Sequence, residues 1–222
     1  PIIVAVDGPA GSGKSTICSE VSARIGWSYV NTGALYRGVG LMASDRGINL
    51  QDEAAVGVML ESLAGQIRWD YEQRMLFCGS ENLTPRLNSA EAGNAASFIA
   101  KQQKVRKLLL PVQRNLVLDA PNGVMVDGRD IGTVVFPDAD LKVFMTASLE
   151  ERARRRLKQI DAKSLDAVMA DIASRDKQDS GRGEAPLRKA DDAVEFDTSA
   201  YDQAQAVDAL IGIIREHGLL TA

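Results

Sequence analysis

The stretch Gly8–Ser15, with the sequence GPAGSGKS, decides the fold because it matches the phosphate-binding pattern G-x-x-x-x-G-K-[ST] at every fixed position. It follows the β-branched apolar run Ile2–Val6 and precedes a segment of helical periodicity that starts at Ser15. Glycines let backbone N–H groups surround an anion, and the start of a helix adds positive potential. The strand, loop and helix together predict a site for the phosphates of a nucleoside triphosphate.

Nine consecutive residues are expected to contact the triphosphate: Gly8, Pro9, Ala10, Gly11, Ser12, Gly13, Lys14, Ser15 and Thr16. Lys14 is expected to reach the outer phosphates, and Ser15 is expected to ligate Mg²⁺. The alternative, a glycine-rich turn without a ligand, is disfavoured by the position of the loop between a strand and a helix.

Composition narrows the function classes. The chain has 222 residues, 45% of them hydrophobic, and a net charge of −4, which disfavours a protein that coats nucleic acid. One histidine excludes histidine-rich metal sites and Ser-His-Asp catalysis. Two cysteines are too few for a disulfide framework, and we find neither a long apolar run nor an export signal. We therefore expect a monomeric, cytoplasmic protein that binds small molecules, with no membrane and no nucleic acid partner.

The order of apolar and helical segments predicts an α/β fold with a central parallel sheet. After Ile2–Val6, further buried strands are predicted at 124–126, 141–145 and 193–196. A helix is predicted to start at Ser148, whose spacing from Glu151 matches a capping box. We expect one P-loop kinase domain over residues 1–222.

Two segments depart from this alternation. Residues 67–71 alternate strictly and precede the apolar residues 75–77, so a small antiparallel β lobe is predicted over about 62–86. Residues 152–187 favour helix, carry many charges and are broken by glycines and Pro186, as in a mobile lid. Acceptor-binding residues are expected at about 32–106, around the inserted lobe.

P-loops also occur in GTPase switches, which use the strings N-K-x-D and D-x-x-G, and neither string occurs in this sequence. A small-molecule kinase explains the shortage of histidine, because a phosphate acceptor is already anionic at neutral pH and needs no general base. Catalysis then depends on cationic groups that align and neutralise two anions. Taken singly, any one of the arginines outside the loop would be interpreted as solvated surface.

Two motifs outside the loop carry the acceptor hypothesis. The segment 31–37, NTGALYR, brings a hydroxyl, a phenol and a guanidinium together, and the segment 127–137, DGRDIGTVVFP, follows a predicted strand. Side chains at the carboxyl end of a parallel strand face the ligand region of an α/β sheet. With the P-loop, residues 94–97, Val105-Arg106 and residues 175–182, these motifs resemble those of bacterial cytidylate kinases, in the same order along nearly the whole chain.

That resemblance implies a reaction between ATP and CMP or dCMP, assisted by Mg²⁺. It assigns catalytic roles to Lys14, Arg37, Arg129 and Arg182. It assigns acceptor binding to Thr32, Tyr36, Arg37, Ser97, Arg106, Arg129, Asp130, Arg175, Asp179 and Arg182. The inserted β lobe is also implied by the family. Asp127, at the end of a strand, is expected near Mg²⁺ through water, with positioning of Arg129 or of the P-loop as the alternative.

Chemistry supports the implied role of Asp130, because a carboxylate accepts from the 4-amino group of cytosine but repels the O4 of uracil. The alternatives are a helix cap or an ion pair with Arg129. Arg175, Asp179 and Arg182 would share one helical face if the helix reaches Gly181. The alternative is that Arg175 and Asp179 form a solvated i,i+4 pair without function.

Two departures from the family concern the edge of the lobe. Asn88 stands where an arginine is usual, and residues 101–104 lack an expected proline. A kinase for UMP or AMP, or a nucleotide sensor without catalysis, remains an alternative; a sensor would not need the acceptor arginines.

Overall fold

A computed structural model describes residues 1–160, 164–183 and 185–220. Positions 161–163 and 184 of the predicted lid lie outside the described residues. The helices are α1 Lys14–Ile25, α2 Thr32–Asp45, α3 Glu53–Leu63, α4 Ala90–Ile99, α5 Gln103–Leu118, α6 Leu149–Leu157, α7 Leu165–Ser180 and α8 Gln203–Glu216. The strands are β1 Ile2–Asp7, β2 Ser28–Asn31, β3 Ile67–Asp70, β4 Met75–Cys78, β5 Glu81–Asn82, β6 Gly123–Gly128, β7 Leu141–Thr146 and β8 Val194–Asp197. A π-helical turn spans Ile131–Val135.

The backbone forms two compact units. The P-loop unit comprises residues 2–28 and 122–222, and the helical unit comprises Pro1 and residues 29–121. Each unit has its own buried apolar core. Among the described residues, none of the helices is long and apolar enough to span a bilayer.

The central sheet has five strands, four of which lie in the P-loop unit in the order β6, β1, β7, β8. β1 pairs in parallel with β6 and β7, and β7 pairs in parallel with β8. All six residues of β6 and the last four of β1 are buried, as their apolar sequences predict. The predicted α/β fold with a parallel sheet is confirmed, although β2, the fifth strand, was not predicted.

In the helical unit, the antiparallel lobe is confirmed as a sheet of three strands. β3 pairs antiparallel with β4, with Trp69 opposite Leu76. The prediction of a two-stranded hairpin was incomplete, because β5 adds a short third strand. The lobe begins later than residue 62, since α3 continues to Leu63.

Local capping explains where the helices start. Ser148 caps α6, since its hydroxyl accepts a hydrogen bond from the Glu151 amide at 3.2 Å. The predicted capping box is nevertheless wrong in its second half. The Ser148 amide donates to the Ser199 hydroxyl, while the Glu151 carboxylate pairs with Arg155. α1 begins one residue earlier than predicted, at Lys14, after Gly13 in a left-handed conformation.

The helical unit depends on a close crossing of α2 and α4 at Gly40. A Cβ atom added to Gly40 would lie 2.6 Å from the Cβ of Ala95 and 3.1 Å from the Ala95 carbonyl carbon. Ala95 is fully buried, so the two helices would have to separate to admit a methyl group.

We predict that Gly40→Ala lowers the free energy of unfolding by about 1 to 3 kcal/mol, because overpacking outweighs the better helix propensity of alanine. Gly93→Ala on α4 is the matched control, since a Cβ there meets nothing within 4 Å. That variant should gain about 0.5 to 1 kcal/mol. Urea unfolding of both variants measures the difference; equal stability of Gly40→Ala and the unchanged protein would contradict the proposed crossing.

Candidate functional site

The P-loop leaves β1 at Gly8, where only glycine fits. A Cβ atom at Gly8 would lie 1.9 Å from the carbonyl oxygen of Met145 in β7. The loop then turns back through Gly13, whose φ of 89° suits glycine and which caps α1. The Ser12 hydroxyl donates to the Pro9 carbonyl at 2.9 Å and closes the turn. The predicted strand, phosphate loop and helix are therefore present.

Lys14 is the buried cation of this loop. Its ammonium donates to the Pro9 carbonyl at 3.1 Å, and the residue is only 6% exposed. The pKa of Lys14 is lowered to about 7, chiefly by burial and also by the positive charge of Arg129, while the negative charge of Asp127 opposes this shift. Lys14, Arg129 and Asp127 are thus close enough to interact electrostatically. An anion bound in the loop would favour the charged form of Lys14.

Oxygen ligands suitable for Mg²⁺ occur at the start of α1 and near the end of β6. Ser15 and Thr16 are exposed in the first turn of α1, and Asp127 is buried near the end of β6. Within the described residues, no group of three or more His, Cys, Asp or Glu side chains could hold a metal by itself. This donor set fits Mg²⁺ as bound in nucleotide sites, where one or two protein oxygens act with phosphate oxygens and water.

Arg129 and Asp130 follow β6 directly. The Nε of Arg129 donates to the Asp179 carboxylate at 2.9 Å, so Arg129 pairs with the lid segment. Asp130 is buried and occupies the N-cap position of the π-helical turn, but its side chain makes no capping hydrogen bond. The helix-cap interpretation of Asp130 is therefore wrong.

The lid segment differs from its prediction in one respect. α7 ends at Ser180, with Gly181 as its C-cap, so Arg182 lies beyond the helix and does not share a helical face with Arg175. Arg182 still approaches Asp179, with 4.0 Å between Nη1 and Oδ1. Arg175 pairs instead with Asp171 at 3.4 Å, and both side chains are more than half exposed. The structure thus groups Arg129, Asp179 and Arg182, while Arg175 is in a solvated pair.

The remaining predicted acceptor residues belong to the helical unit. Thr32, Tyr36 and Arg37 lie in the first turns of α2, which Asn31 caps by accepting from the Ala34 amide at 3.1 Å. The Arg106 guanidinium lies 5.3 Å from the centre of the Tyr36 ring and donates to the Ala100 carbonyl at 3.0 Å. Arg106 is buried, so stacking on Tyr36 holds its charge in place. Ser97 is exposed on α4 and donates to the Asn94 carbonyl.

Sequence reasoning overlooked two arginines that contact the P-loop. Arg152 is buried, donates to the Ala10 carbonyl at 3.2 Å and forms a bidentate pair with Asp176 of α7. Arg155 donates to the Ser12 carbonyl at 3.2 Å and to the Thr198 hydroxyl at 2.8 Å. The signal that could have indicated both residues is the basic run at 152–158.

A third overlooked residue is Asp7, the last residue of β1. Its carboxylate accepts hydrogen bonds from the Ile131 amide at 2.8 Å and the Gly132 amide at 2.7 Å. Burial raises the pKa of Asp7 to about 6, although the two amides act in the opposite direction. Its position directly before the P-loop was visible in the sequence, but its partners lie more than a hundred residues away.

Among solved structures, the chain resembles an uncharacterized protein from Eubacterium ventriosum, with a TM-score of 0.53 and 11% identity over 97% of this chain and 98% of that chain. At that identity the likeness concerns the fold alone.

Sequence comparison is more specific. A cytidylate kinase from an Exiguobacterium species is 44% identical over 96% of this chain and 96% of its own length. The cytidylate kinase of Geobacter sulfurreducens is 41% identical over 97% of this chain and 93% of its own length. The family model described as cytidylate kinase matches residues 4–216. With this extent of similarity and a P-loop of the required geometry, the chain belongs to the cytidylate kinase family.

Proposed function

We propose that the protein transfers the γ-phosphoryl group of ATP to CMP or dCMP, giving ADP and CDP or dCDP. The observation that carries this proposal is the family membership over residues 4–216 of a chain whose P-loop holds a buried Lys14 near Arg129 and Asp127. In this proposal the P-loop binds ATP, the phosphoryl donor, and the acceptor motifs bind the nucleotide that receives the phosphoryl group.

On the donor side, we propose that residues 8–16 hold the ATP phosphates. Backbone amides of the loop bind the phosphate oxygens, and the charged Lys14 ammonium stabilises negative charge that develops on the transferred group. Ser15 would hold Mg²⁺ directly and Asp127 would hold it through water. When bound, the ion would neutralise phosphate charge.

On the acceptor side, the nucleophile is a phosphate oxygen of CMP. The second pKa of a phosphate monoester is about 6, so the acceptor is a dianion near neutral pH and no general base is needed. Arg37, Arg129 and Arg182 would bind this phosphate and reduce the repulsion between the two anions. The planar guanidinium fork suits phosphate oxygens. The pairing of Arg129 with Asp179 supports the role of Arg129, because the ion pair restricts where the guanidinium can lie.

For the base, we propose that Asp130, Ser97 and Arg106 contact cytosine, with Thr32 and Tyr36 lining the acceptor pocket. Stacking of Arg106 against Tyr36 supports a fixed position for its donors. Asp179 would reach the acceptor sugar, as would Arg175 once its solvated pair with Asp171 opens.

We propose that the segment 152–187 acts as a lid that closes over ATP. Leu149, Leu157, Leu165 and Met169 pack against the buried residues Ala153, Val168 and Ile172, so α6 and α7 share a small apolar core. Such a core would let α6 and α7 move as one body. We also propose a monomeric enzyme in the cytoplasm, where the free thiols of Cys18 and Cys78 would stay reduced.

We predict that ATP-dependent ADP release is fast with CMP and dCMP and slow with UMP, with AMP and without an acceptor. The acceptor completes the site, so water alone is a poor substrate. A coupled ADP assay over these five conditions provides the measurement. Strong release with UMP or AMP alone would identify a kinase for another acceptor, and equal release without acceptor would overturn the proposal.

We predict that Lys14→Ala lowers kcat/KM by about 10² to 10³-fold, because a preorganised charge on the transferred phosphoryl group is lost. Lys189→Ala is the control, since Lys189 is half-exposed and pairs only at 3.3 Å with Glu195. Both variants are compared by steady-state kinetics with CMP. Unchanged turnover in Lys14→Ala would refute the phosphate role of the loop.

We predict that Asp130→Asn reduces the preference for CMP over UMP by about tenfold or more, because an amide can donate to the O4 of uracil where a carboxylate cannot. The exposed neighbour Asp138 provides the control variant Asp138→Asn. The measurement is the ratio of kcat/KM for the two acceptors. An unaltered ratio in Asp130→Asn would remove Asp130 from base recognition.

A further inference from the structure

The carboxylate of Asp7 connects two segments that are distant in the sequence. Asp7 ends β1 immediately before the P-loop, is 5% exposed, and accepts from the amides of Ile131 and Gly132 at 2.8 and 2.7 Å. These amides begin the π-helical turn that follows Arg129 and Asp130. One side chain therefore links the start of the donor loop to the segment that carries the acceptor residues.

This contact concerns the N-terminus of the π-helical turn, where Asp130 occupies the N-cap position. An aspartate at an N-cap usually accepts from the second or third amide of its helix. Here the first two amides, those of Ile131 and Gly132, are bound by Asp7, and the Asp130 side chain makes no capping bond. The start of the turn is thus held by a residue from another strand, and not by a cap from its own segment.

The turn is also supported from its other side by Lys142 of β7. A Cβ atom added to Gly132 would lie 3.1 Å from the Cγ and Cδ of Lys142, so the backbone of the turn rests on this side chain. Lys142 is 8% exposed, and its ammonium pairs with Asp192 at 2.9 Å. Lys142 supplies packing, whereas Asp7 supplies the two directional bonds.

We propose that Asp7 is a positioning residue for acceptor recognition: by binding the Ile131 and Gly132 amides it fixes Arg129 and Asp130 relative to the P-loop. The inference rests on the proposed function, in which Asp130 reads the base and Arg129 binds the acceptor phosphate. It adds a residue that acts through these two without touching the substrate.

The first test is Asp7→Asn, which keeps the shape and one acceptor but directs an NH₂ group at a backbone N–H. Hydrogen exchange of the Ile131 and Gly132 amides should accelerate at least tenfold. The preference for CMP over UMP should fall at least tenfold, while the KM for ATP changes less than threefold. A purely structural role would affect ATP and both acceptors alike.

Asp140→Asn is the matched control. The Asp140 carboxylate accepts from the Ile3 amide at 2.7 Å, so it makes the same kind of bond to the other end of β1. That variant should leave the exchange of the two amides and the acceptor preference unchanged. If Asp7→Asn does not fold, Asp7→Ser takes its place, since serine retains one acceptor and removes the buried charge.

The double variant Asp7→Asn/Asp130→Asn separates this inference from the proposed function. If Asp7 acts through Asp130, the double variant should show no lower preference than Asp130→Asn alone. A loss of preference in Asp130→Asn but not in Asp7→Asn would overturn the inference and leave the proposed function intact.

If Asp130→Asn keeps the preference for CMP over UMP, Asp130 has no role in base recognition. Asp7 could then act only by positioning Arg129, and the KM for CMP tests this role. A KM at least fivefold higher in Asp7→Asn supports the positioning role, and an unchanged KM overturns it. Unaltered exchange of both amides in Asp7→Asn overturns the inference in every case.

Discussion

The contact between Gly8 and the Met145 carbonyl constrains the rest of the P-loop unit. Because a side chain at Gly8 would lie 1.9 Å from that oxygen, β1 and β7 come together at this point only with glycine. The parallel register that places Asp7 opposite Phe144 and Gly128 sets where the loop begins and where Arg129 emerges. The phosphate loop, the acceptor segment and the lid helices are all attached to this edge of the sheet.

Cationic groups are held close together at this edge although the chain has a net charge of −4. The pKa of Lys14 is lowered by burial and by Arg129, which means that bringing these charges together costs free energy in the protein without its substrates. Asp179 offsets part of this cost by approaching both Arg129 and Arg182. Such an arrangement is suited to two anionic substrates, because the cations are in place before the reaction.

Features specified by nearby residues could be predicted from the sequence. Glycine spacing and hydrophobic periodicity predicted the P-loop, four strands of the sheet and the antiparallel lobe. β2 was missed because its sequence, SYVN, neither alternates nor forms an apolar run, and β5 was missed because it has only two residues. The end of α7 at Ser180 separated Arg182 from Arg175, since the pattern of charges continued while Gly181 ended the helix.

The features of the site that could not be predicted depend on contacts between residues that are distant in the sequence. Arg152 belongs to a basic run that gives no sign of burial, yet it is buried and contacts a carboxylate on α7 and a carbonyl of the P-loop. Asp7 gave no local sign of its role, since its hydrogen bonds satisfy the start of a turn formed by the far side of the chain. Hydrophobic periodicity predicts which face of a helix or strand is buried, but it does not predict which polar groups will form hydrogen bonds with the residues on that face. Arg152 and Asp7 are both buried charged residues beside the phosphate loop, and leaving either of them without a partner there would cost free energy. Arg152 finds its partners in the loop and the lid, and Asp7 finds its partners in the acceptor segment, so these contacts connect the three segments.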